Sequence, residues 1–181
     1  MRLALLVLVG FTMVFGQSSP AGTIVIGDEA PTFSLPDLEQ NYVSLRDYCG
    51  EKLRKPWINK EKHVVLVSFF ATWCKPCMAE IPHLERLAKE YAGKNVKLFL
   101  IDVGEDLQKV SDFVSSKNIE LPVLIDRYQT VAEKYDALTL PRLFIIDKEG
   151  VIQKEKKGFS DPEKFVQEMT DLIDGLLTVS K

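Results

Sequence analysis

The sequence predicts an α/β fold in which a mixed central sheet is flanked by helices. Short apolar runs typical of buried strands alternate with segments whose apolar residues recur at helical spacing, which is the pattern of a partly parallel sheet. The hydrophobic content of 46% suits a packed core, and 181 residues are enough for one domain of ordinary size. Acidic and basic residues are mixed and the net charge is only -3, so we expect no nucleic-acid partner.

The segment MRLALLVLVGFTMVFG at the start of the chain has the three-part layout of a secretory signal. Arg2 precedes an apolar run at 3–15, and small and polar residues follow. We predict a signal peptide at 1–16, a linker at 17–26 and a folded domain at 27–181. The run is shorter than the roughly 20 residues of a spanning helix, although an uncleaved membrane anchor is the alternative. Either way, we expect an exported protein, periplasmic or otherwise extracytoplasmic.

The first half of the domain predicts a hairpin, a loop, a strand and a helix in that order. PTFSLPDLEQNYVSLRDY (31–48) has two short apolar stretches around a polar turn, which indicates a β-hairpin. A charged, irregular loop at 49–62 follows. HVVLVSFFA (63–71) is rich in Val and Phe and predicts a strand buried on both faces. A helix then begins at CKPC, and Gly93 supplies its stop signal.

The second half continues the alternation of strands and helices and ends in an antiparallel hairpin and a helix. The predicted strands are VKLFLIDV (96–103), LPVLID (121–126), LPRLFIID (140–147) and VIQKEKKG (151–158). The predicted helices lie within EDLQKVSDFVSSKN (105–118), YQTVAEKY (128–135) and SDPEKFVQEMTDLIDGLL (160–177).

Two cysteines, Cys74 and Cys77, lie where the predicted strand ends and the helix begins. The N–H groups and partial positive charge of a helix N-terminus stabilise a thiolate and lower its pKa. Lys75 adds a nearby positive charge, and Pro76 suits the first turn. Cys74 is therefore positioned as a nucleophile, and Cys77 is close enough to attack a mixed disulfide formed on it.

Two structural interpretations of the pair are weaker than redox chemistry. A permanent staple across so short a loop stabilises little. A metal clip needs two more ligands, and the candidates Cys49, His63 and His83 include no second close pair. Cys49 itself is expected to be a small buried hydrophobe, with a free thiol or a regulatory partner as the alternatives. We therefore expect no metal and no bound cofactor.

The stretches FFATWCKPC (69–77) and TLPRLFIIDKEGVI (139–152) together resemble the thioredoxin-like superfamily. More narrowly, the chain is similar to the ResA/TlpA group of exported thiol–disulfide oxidoreductases, which is related to the AhpC/TSA–Redoxin proteins. The resemblance covers roughly residues 27–175, including the N-terminal hairpin and an inserted strand-helix segment at 103–126. It implies a thioredoxin-like fold. A bare C-x-x-C would be far less specific than this combination of W-C-x-P-C with a later Leu-Pro before an apolar strand.

The resemblance implies roles for individual residues. Cys74 would be the exposed attacking thiol and Cys77 the resolving one, with Trp73 and Pro76 bordering the substrate. Glu80 corresponds to a Glu that ResA-like proteins use near the thiols. From the residues alone, it is equally well explained as a solvated acid in the first turns of the helix.

Further along the chain, Pro141 would be a cis-proline facing the cysteines, and Leu140 would offer its backbone to a substrate strand. The sequence alone leaves Pro141 open as an ordinary proline at a strand entry, since few X-Pro bonds are cis. Two positions depart from the pattern. Ser68 replaces the buried Asp of thioredoxins proper, and Arg142 replaces a Thr common among relatives, adding charge at the site or pointing to solvent.

We therefore predict an enzyme that reduces disulfides in exported proteins. In the resembled group a common task is keeping the cysteines of apocytochrome c reduced, and an upstream membrane or soluble dithiol would restore the reduced pair. We expect a monomer. One rival is a peroxiredoxin-like peroxidase, although Ala71 occupies the position where peroxiredoxins carry a Thr. The other is a non-enzymatic binding module. The net direction of exchange depends on the reduction potential, which sequence does not reveal.

Overall fold

The structure, a computed structural model, describes residues 24–178. The predicted signal peptide at 1–16 and residues 17–23 of the predicted linker lie outside this range. Within it, no helix combines the length and the apolar character needed to cross a bilayer.

An antiparallel hairpin begins the fold, as the sequence predicts. Strand β1 (Ser34–Pro36) pairs with β2 (Tyr42–Ser44), and the turn between them is held by Asp37. The Asp37 carboxylate accepts the N–H groups of Glu39 (3.0 Å) and Asn41 (2.8 Å), a common way for Asp to stabilise a turn. Asp37 also forms an isolated bridge with Leu124, which brings the hairpin beside the central sheet.

In the described part of the chain, the central sheet has five strands in the order β5-β4-β3-β6-β7. Strands β3, β4 and β5 are parallel, β6 runs antiparallel to β3, and β7 runs antiparallel to β6. Their bounds are β3 (Val64–Phe70), β4 (Val96–Val103), β5 (Val123–Asp126), β6 (Arg142–Ile146) and β7 (Ile152–Lys157). The predicted mixed sheet is confirmed.

Within residues 24–178, four α-helices accompany the sheet, and one turn of 3-10 helix (Leu45–Asp47) follows the hairpin. They are α1 (Lys75–Glu90), α2 (Leu107–Lys117), α3 (Thr130–Lys134) and α4 (Pro162–Thr178). One core layer lies between the sheet and α1, α2 and α4, and the other lies between the sheet, α3 and the N-terminal hairpin. The predicted insertion at 103–126 forms α2 and β5.

The central strand β3 is buried along its whole length because it faces both core layers. Its alternate side chains divide between them: Leu66 and Phe70 contribute to the layer under α1, and Val67 and Phe69 to the other. Since parallel strands end at one edge of a sheet, the segments that follow β3, β4 and β5 meet there, beside the start of the antiparallel β6. The cysteine motif lies at this edge.

Candidate active site

Cys74 and Cys77 are joined by a disulfide at the start of α1, with their Cα atoms 5.3 Å apart. Cys74 is the N-cap residue, in an extended conformation, and its sulfur accepts the N–H of Cys77 at 3.3 Å. Pro76 lies in the first turn, where a missing N–H costs no helical hydrogen bond. When the pair is reduced, a thiolate on Cys74 would face these N–H groups and the positive end of the helix dipole.

Cys74 is buried, whereas the resemblance implied an exposed attacking thiol. In this oxidised form Cys74 is 3% exposed and Cys77 is fully buried. The expectation is wrong for the disulfide state, because the N-cap hydrogen bond and the bond to Cys77 hold the Cys74 sulfur against its own helix. Trp73, the residue before Cys74, is 68% exposed, so a large apolar surface lies next to the pair in the chain.

Glu80 lies one turn after Cys77 and is buried, with an exposure of 1%. The solvated interpretation of this residue is therefore wrong, since its side chain points inward against β3. The Ser68 hydroxyl donates to its carboxylate at 2.8 Å. Burial raises the pKa of Glu80 to about 7, although the Ser68 hydrogen bond and the charge of Lys156 oppose the rise. A carboxyl with this pKa can gain or lose a proton near neutral pH.

The contact between Ser68 and Glu80 explains how the fold accommodates Ser68 at this position of β3. Ser68 stands where thioredoxins proper carry a buried Asp, and the structure brings the Glu80 carboxyl to this strand position from α1. Ser68 is itself 2% exposed, so the polar pair is enclosed in the core layer that contains the cysteines. Because both side chains are buried, the Ser68 hydroxyl is the hydrogen-bond partner of the Glu80 carboxylate.

The Leu140–Pro141 peptide bond is cis, as the resemblance implied. Pro141 is buried and directly precedes β6, and Leu140 is half-buried. Leu140 packs against both core layers, including the one that holds the cysteines. This pair of residues therefore lies at the same edge of the sheet as the cysteine motif.

Arg142 takes neither of the two positions expected from the sequence. It is only 5% exposed, and strand alternation places it with Phe144 on the face opposite the cysteine layer. Its guanidinium donates to the Glu155 carboxylate at 2.6 Å and also to Asp136. Arg142 is thus a buried residue that forms ion pairs with Glu155 of β7 and with Asp136. The sequence around Arg142 could not reveal this burial, because both partners come from other segments of the chain.

Sequence reasoning missed two acids at the carboxyl end of β4: Asp102, near the end of the strand, and Glu105, just after it. The Glu105 carboxylate accepts the backbone N–H of Thr72 at 2.6 Å and its hydroxyl at 2.8 Å. It also pairs with Lys109 at 2.6 Å, and its own N–H donates to Asp102 at 3.0 Å. Glu105 therefore ties the loop that carries Cys74 to the neighbouring strand. The sequence feature that could have indicated these two acids is their position at the carboxyl end of a predicted parallel strand, the same edge at which the cysteine motif lies.

These two acids have opposite pKa shifts. Burial and the neighbouring Glu105 raise the pKa of Asp102 to about 8. The pKa of Glu105 is lowered, because hydrogen bonds from Lys109 and Thr72 outweigh its partial desolvation. The opposite pKa shifts favour the protonated form of Asp102 and the charged form of Glu105, which is the acceptor for the loop.

Within the described range, Cys49 is the free cysteine. It is buried and lies outside the cysteine motif. Its interpretation as a small buried hydrophobe is confirmed, since it is 1% exposed and burial raises the pKa of its thiol to about 12. Over residues 24–178, no three His, Cys, Asp or Glu side chains are grouped closely enough to hold a metal ion.

Comparison with known proteins places this geometry in context. Residues 26–155 match the AhpC/TSA family. The chain is 34% identical over 156 residues to the thiol-disulfide oxidoreductase ResA of Bacillus cereus, covering 86% of this chain and 83% of that protein. It is 28% identical over 171 residues to ResA of Bacillus subtilis, covering 94% and 88%.

A solved structure supports the fold. A Chlorobium tepidum protein assigned as the thiol:disulfide interchange protein DsbE has a TM-score of 0.71 and 24% identity, with 86% of this chain and 99% of that one covered. The stretch matched by the family contains every side chain described above from the cysteine motif to Glu155.

Proposed function

The chain belongs to the AhpC/TSA family and is a thiol–disulfide oxidoreductase, and from this premise we propose that it reduces disulfides in exported proteins through Cys74 and Cys77. Its substrates are protein cysteine pairs. The observation that carries the proposal is the position of Cys74 as the N-cap of α1, with its sulfur accepting the Cys77 N–H at 3.3 Å. That arrangement favours a thiolate on the residue that attacks first.

The reaction proceeds by two exchanges. The Cys74 thiolate attacks one sulfur of a substrate disulfide, the substrate S–S bond breaks, and the departing substrate sulfur leaves as a thiolate that takes up a proton. Cys77 then loses its proton and attacks the Cys74 sulfur of the mixed disulfide. The second substrate sulfur leaves, so the substrate gains two electrons and the enzyme is left with the Cys74–Cys77 disulfide. An upstream dithiol, membrane-bound or soluble, restores the reduced pair.

Glu80 is proposed to serve the second exchange. Cys77 is buried and must lose its proton before it attacks, and Glu80 lies one helical turn away in the same core layer. Its pKa of about 7 allows it to accept that proton at neutral pH and to return one when the pair is reduced again. Ser68 keeps the carboxyl oriented.

The substrate is proposed to lie across the edge formed by four residues. Exposed Trp73 and Pro76 border the pair on one side. Leu140 and Pro141 border it on the other, where the Leu140 backbone can pair with an extended substrate chain. The protein acts as a monomer, and apocytochrome c is one substrate that the resemblance suggests.

Export is part of the proposal. The leader at 1–16 supports it, whether cleaved or kept as an anchor by the run at 3–15. Outside the cytosol protein disulfides persist, so a dedicated reductant has substrates there.

The peroxidase alternative has less support. Ala71 has no hydroxyl to activate a peroxide, and the hydroxyl of the adjacent Thr72 is already bound to Glu105 at 2.8 Å. Rapid consumption of hydrogen peroxide by the purified protein would favour that alternative over disulfide exchange.

Trapping tests the proposal directly. Cys77→Ser keeps the attacking thiol and removes the resolving one, so we expect it to accumulate mixed disulfides with exported proteins that reductant releases on a gel. Cys74→Ser should trap far less, and the control Cys49→Ser should behave as the wild type, because Cys49 is buried with a pKa of about 12. The proposal fails if Cys77→Ser traps nothing.

The reduction potential of the pair tests the direction. A value near that of thioredoxin, about -270 mV, would support net reduction, and a value near -120 mV would show an oxidant instead.

A further inference from the structure

The loop at 50–62 lies at the edge of the sheet opposite the cysteine motif. It leads into the amino end of β3, whereas the motif follows the carboxyl end, about 20 Å away along seven residues of strand. The β6–β7 turn lies beside the loop, where the Gly50 N–H donates to the Lys148 carbonyl at 3.1 Å, and Lys62 pairs with Glu149 at 2.6 Å. The loop is therefore fixed to the body of the domain at this edge.

The described chain also enters at this edge. The Gly27 N–H donates to the carbonyl of Ile152, at the start of β7, at 2.8 Å. Just before it, Val25 and Ile26 are 47% and 58% exposed. Residues 16–23 alone separate this entry point from the apolar run at 3–15 of the sequence.

The tip of the loop, residues 55–58, is held outward from both sides. Arg54 precedes the tip and binds the buried carboxylate of Asp47 through two hydrogen bonds, at 2.7 and 2.8 Å. Asn59 follows the tip and donates to the Asp47 carbonyl at 2.9 Å. One buried residue thus anchors both ends, so the projection of the tip is built into the fold.

The tip combines large apolar side chains with cations. Trp57 is 61% exposed and Ile58 is 62% exposed. The Lys55 ammonium lies 4.8 Å from the centre of the Trp57 ring. Lys52 and Lys60 are exposed as well, and none of these three lysines forms an ion pair with any residue of the range 24–178. Exposed Trp beside unpaired Lys is a combination suited to the interface of a bilayer.

We propose that this surface, called the docking face here, binds an anionic lipid bilayer. It consists of Val25, Ile26, Lys52, Lys55, Trp57, Ile58 and Lys60. The lysines would attract anionic head groups, and the apolar side chains would insert at the level of the head groups. The protein as a whole carries a net charge of -3, and the exposed acids Glu51 and Glu61 flank the lysines in the loop. The attraction would therefore come from the three unpaired lysines at and beside the tip. The cysteine pair would then face away from the bilayer, toward proteins in the aqueous phase.

This inference goes beyond disulfide exchange and is tested without it. The chain has two tryptophans, Trp57 on the docking face and Trp73 at the cysteine edge. In the full-length chain, Trp73→Phe leaves Trp57 as the reporter, and Trp57→Phe leaves Trp73 as the matched control. With phosphatidylglycerol vesicles whose acyl chains are brominated, we expect a blue shift and strong quenching of Trp57 emission and neither change for Trp73. No quenching of Trp57, or equal quenching of both, would overturn the proposal even if the chain co-sediments with vesicles through its leader.

Charge variants test the lipid class. Changing Lys52, Lys55 and Lys60 to Gln should weaken the vesicle-dependent quenching of Trp57 by about tenfold or more in lipid concentration, since each lysine near an anionic surface contributes appreciably. The control changes three exposed lysines elsewhere to Gln, namely Lys117, Lys134 and Lys164, and should leave the quenching unchanged. Equal quenching by neutral phosphatidylcholine vesicles, or equal effects of the two triple variants, would refute an anionic surface as the partner.

Discussion

At the scale of single residues, Glu80 connects burial to chemistry. Its carboxyl is enclosed in the core layer of the cysteines and has one hydroxyl partner, Ser68. Desolvation disfavours the charged form, which is why its pKa rises to about 7 instead of lying near 4.5. A proton acceptor of this kind is useful beside a buried thiol, because it is half-ionised at the pH where the exchange would run.

Glu80→Gln should therefore change how the rate of disulfide reduction depends on pH. We expect the wild type to show an inflection near pH 7 from Glu80 and the variant to lose it, retaining only the inflection of the thiols. The measurement is the rate of reduction of a disulfide peptide from about pH 5.5 to pH 8.5. Glu90→Gln, an exposed acid of the same helix, is the control. Superimposable profiles for Glu80→Gln and the wild type would remove Glu80 from the mechanism.

At the scale of elements, the candidate active site depends on how two parallel strands end. The loop after β3 carries Thr72 and Cys74, and the loop after β4 carries Glu105, whose carboxylate binds both the N–H and the hydroxyl of Thr72. A backbone N–H bound to a charged acceptor is held more firmly than one bound to a neutral group. The geometry of the helix start therefore depends on a neighbouring strand as well as on its own sequence.

Glu105→Gln removes the charge of this acceptor while keeping its shape. We expect a loss of about 1.5–3 kcal/mol in the free energy of unfolding, since hydrogen bonds to charged groups contribute that much. The alkylation rate of reduced Cys74 should change in the same variant. A loss of stability that did not involve the Thr72–Cys74 loop would leave this rate unchanged. Glu120→Gln is the matched control, because Glu120 also pairs with a lysine, Lys89, but on an exposed surface. If both variants behave alike, Glu105 does not position the loop.

At the scale of the whole molecule, two buried acids on β4 and α1 make stability depend on pH. The pKa of Glu80 rises to about 7 and that of Asp102 to about 8. A carboxyl whose pKa is higher in the folded state than in the unfolded state favours folding while it is protonated. Its contribution is fully present below the unfolded pKa and is lost as pH rises from that value through the folded pKa. For Glu80 the loss is on the order of 3 kcal/mol.

The double variant Glu80→Gln with Asp102→Asn should flatten this dependence. The free energy of unfolding in urea is measured at about pH 5 and pH 8, on either side of most of the titration. We expect the wild type to lose more stability between these values than the variant, because the variant has no acid to ionise at either position. The lowered pKa of Glu105 acts in the opposite direction and only at lower pH, where protonation removes its stabilisation. An equal loss in both proteins would contradict the assignment.

The sequence by itself determined the class of fold, the order of its elements and the cysteine pair that we propose reacts. These features depend on local pattern: continuous apolar runs indicate buried strands, helical spacing indicates amphipathic helices, and C-x-x-C at a strand-to-helix junction needs no distant partner to be recognised. The same holds for Cys49, which is buried as expected for a small hydrophobic residue.

Only the tertiary structure decided the state of the charged groups. Glu80 is buried because its turn of α1 faces β3, Arg142 is buried because its partners Asp136 and Glu155 come from other elements, and Glu105 reaches Thr72 from the next strand. The energy of a charge depends on its desolvation and on its partners in space. Neither quantity is a property of neighbouring positions in the chain, so these residues needed the fold to be understood.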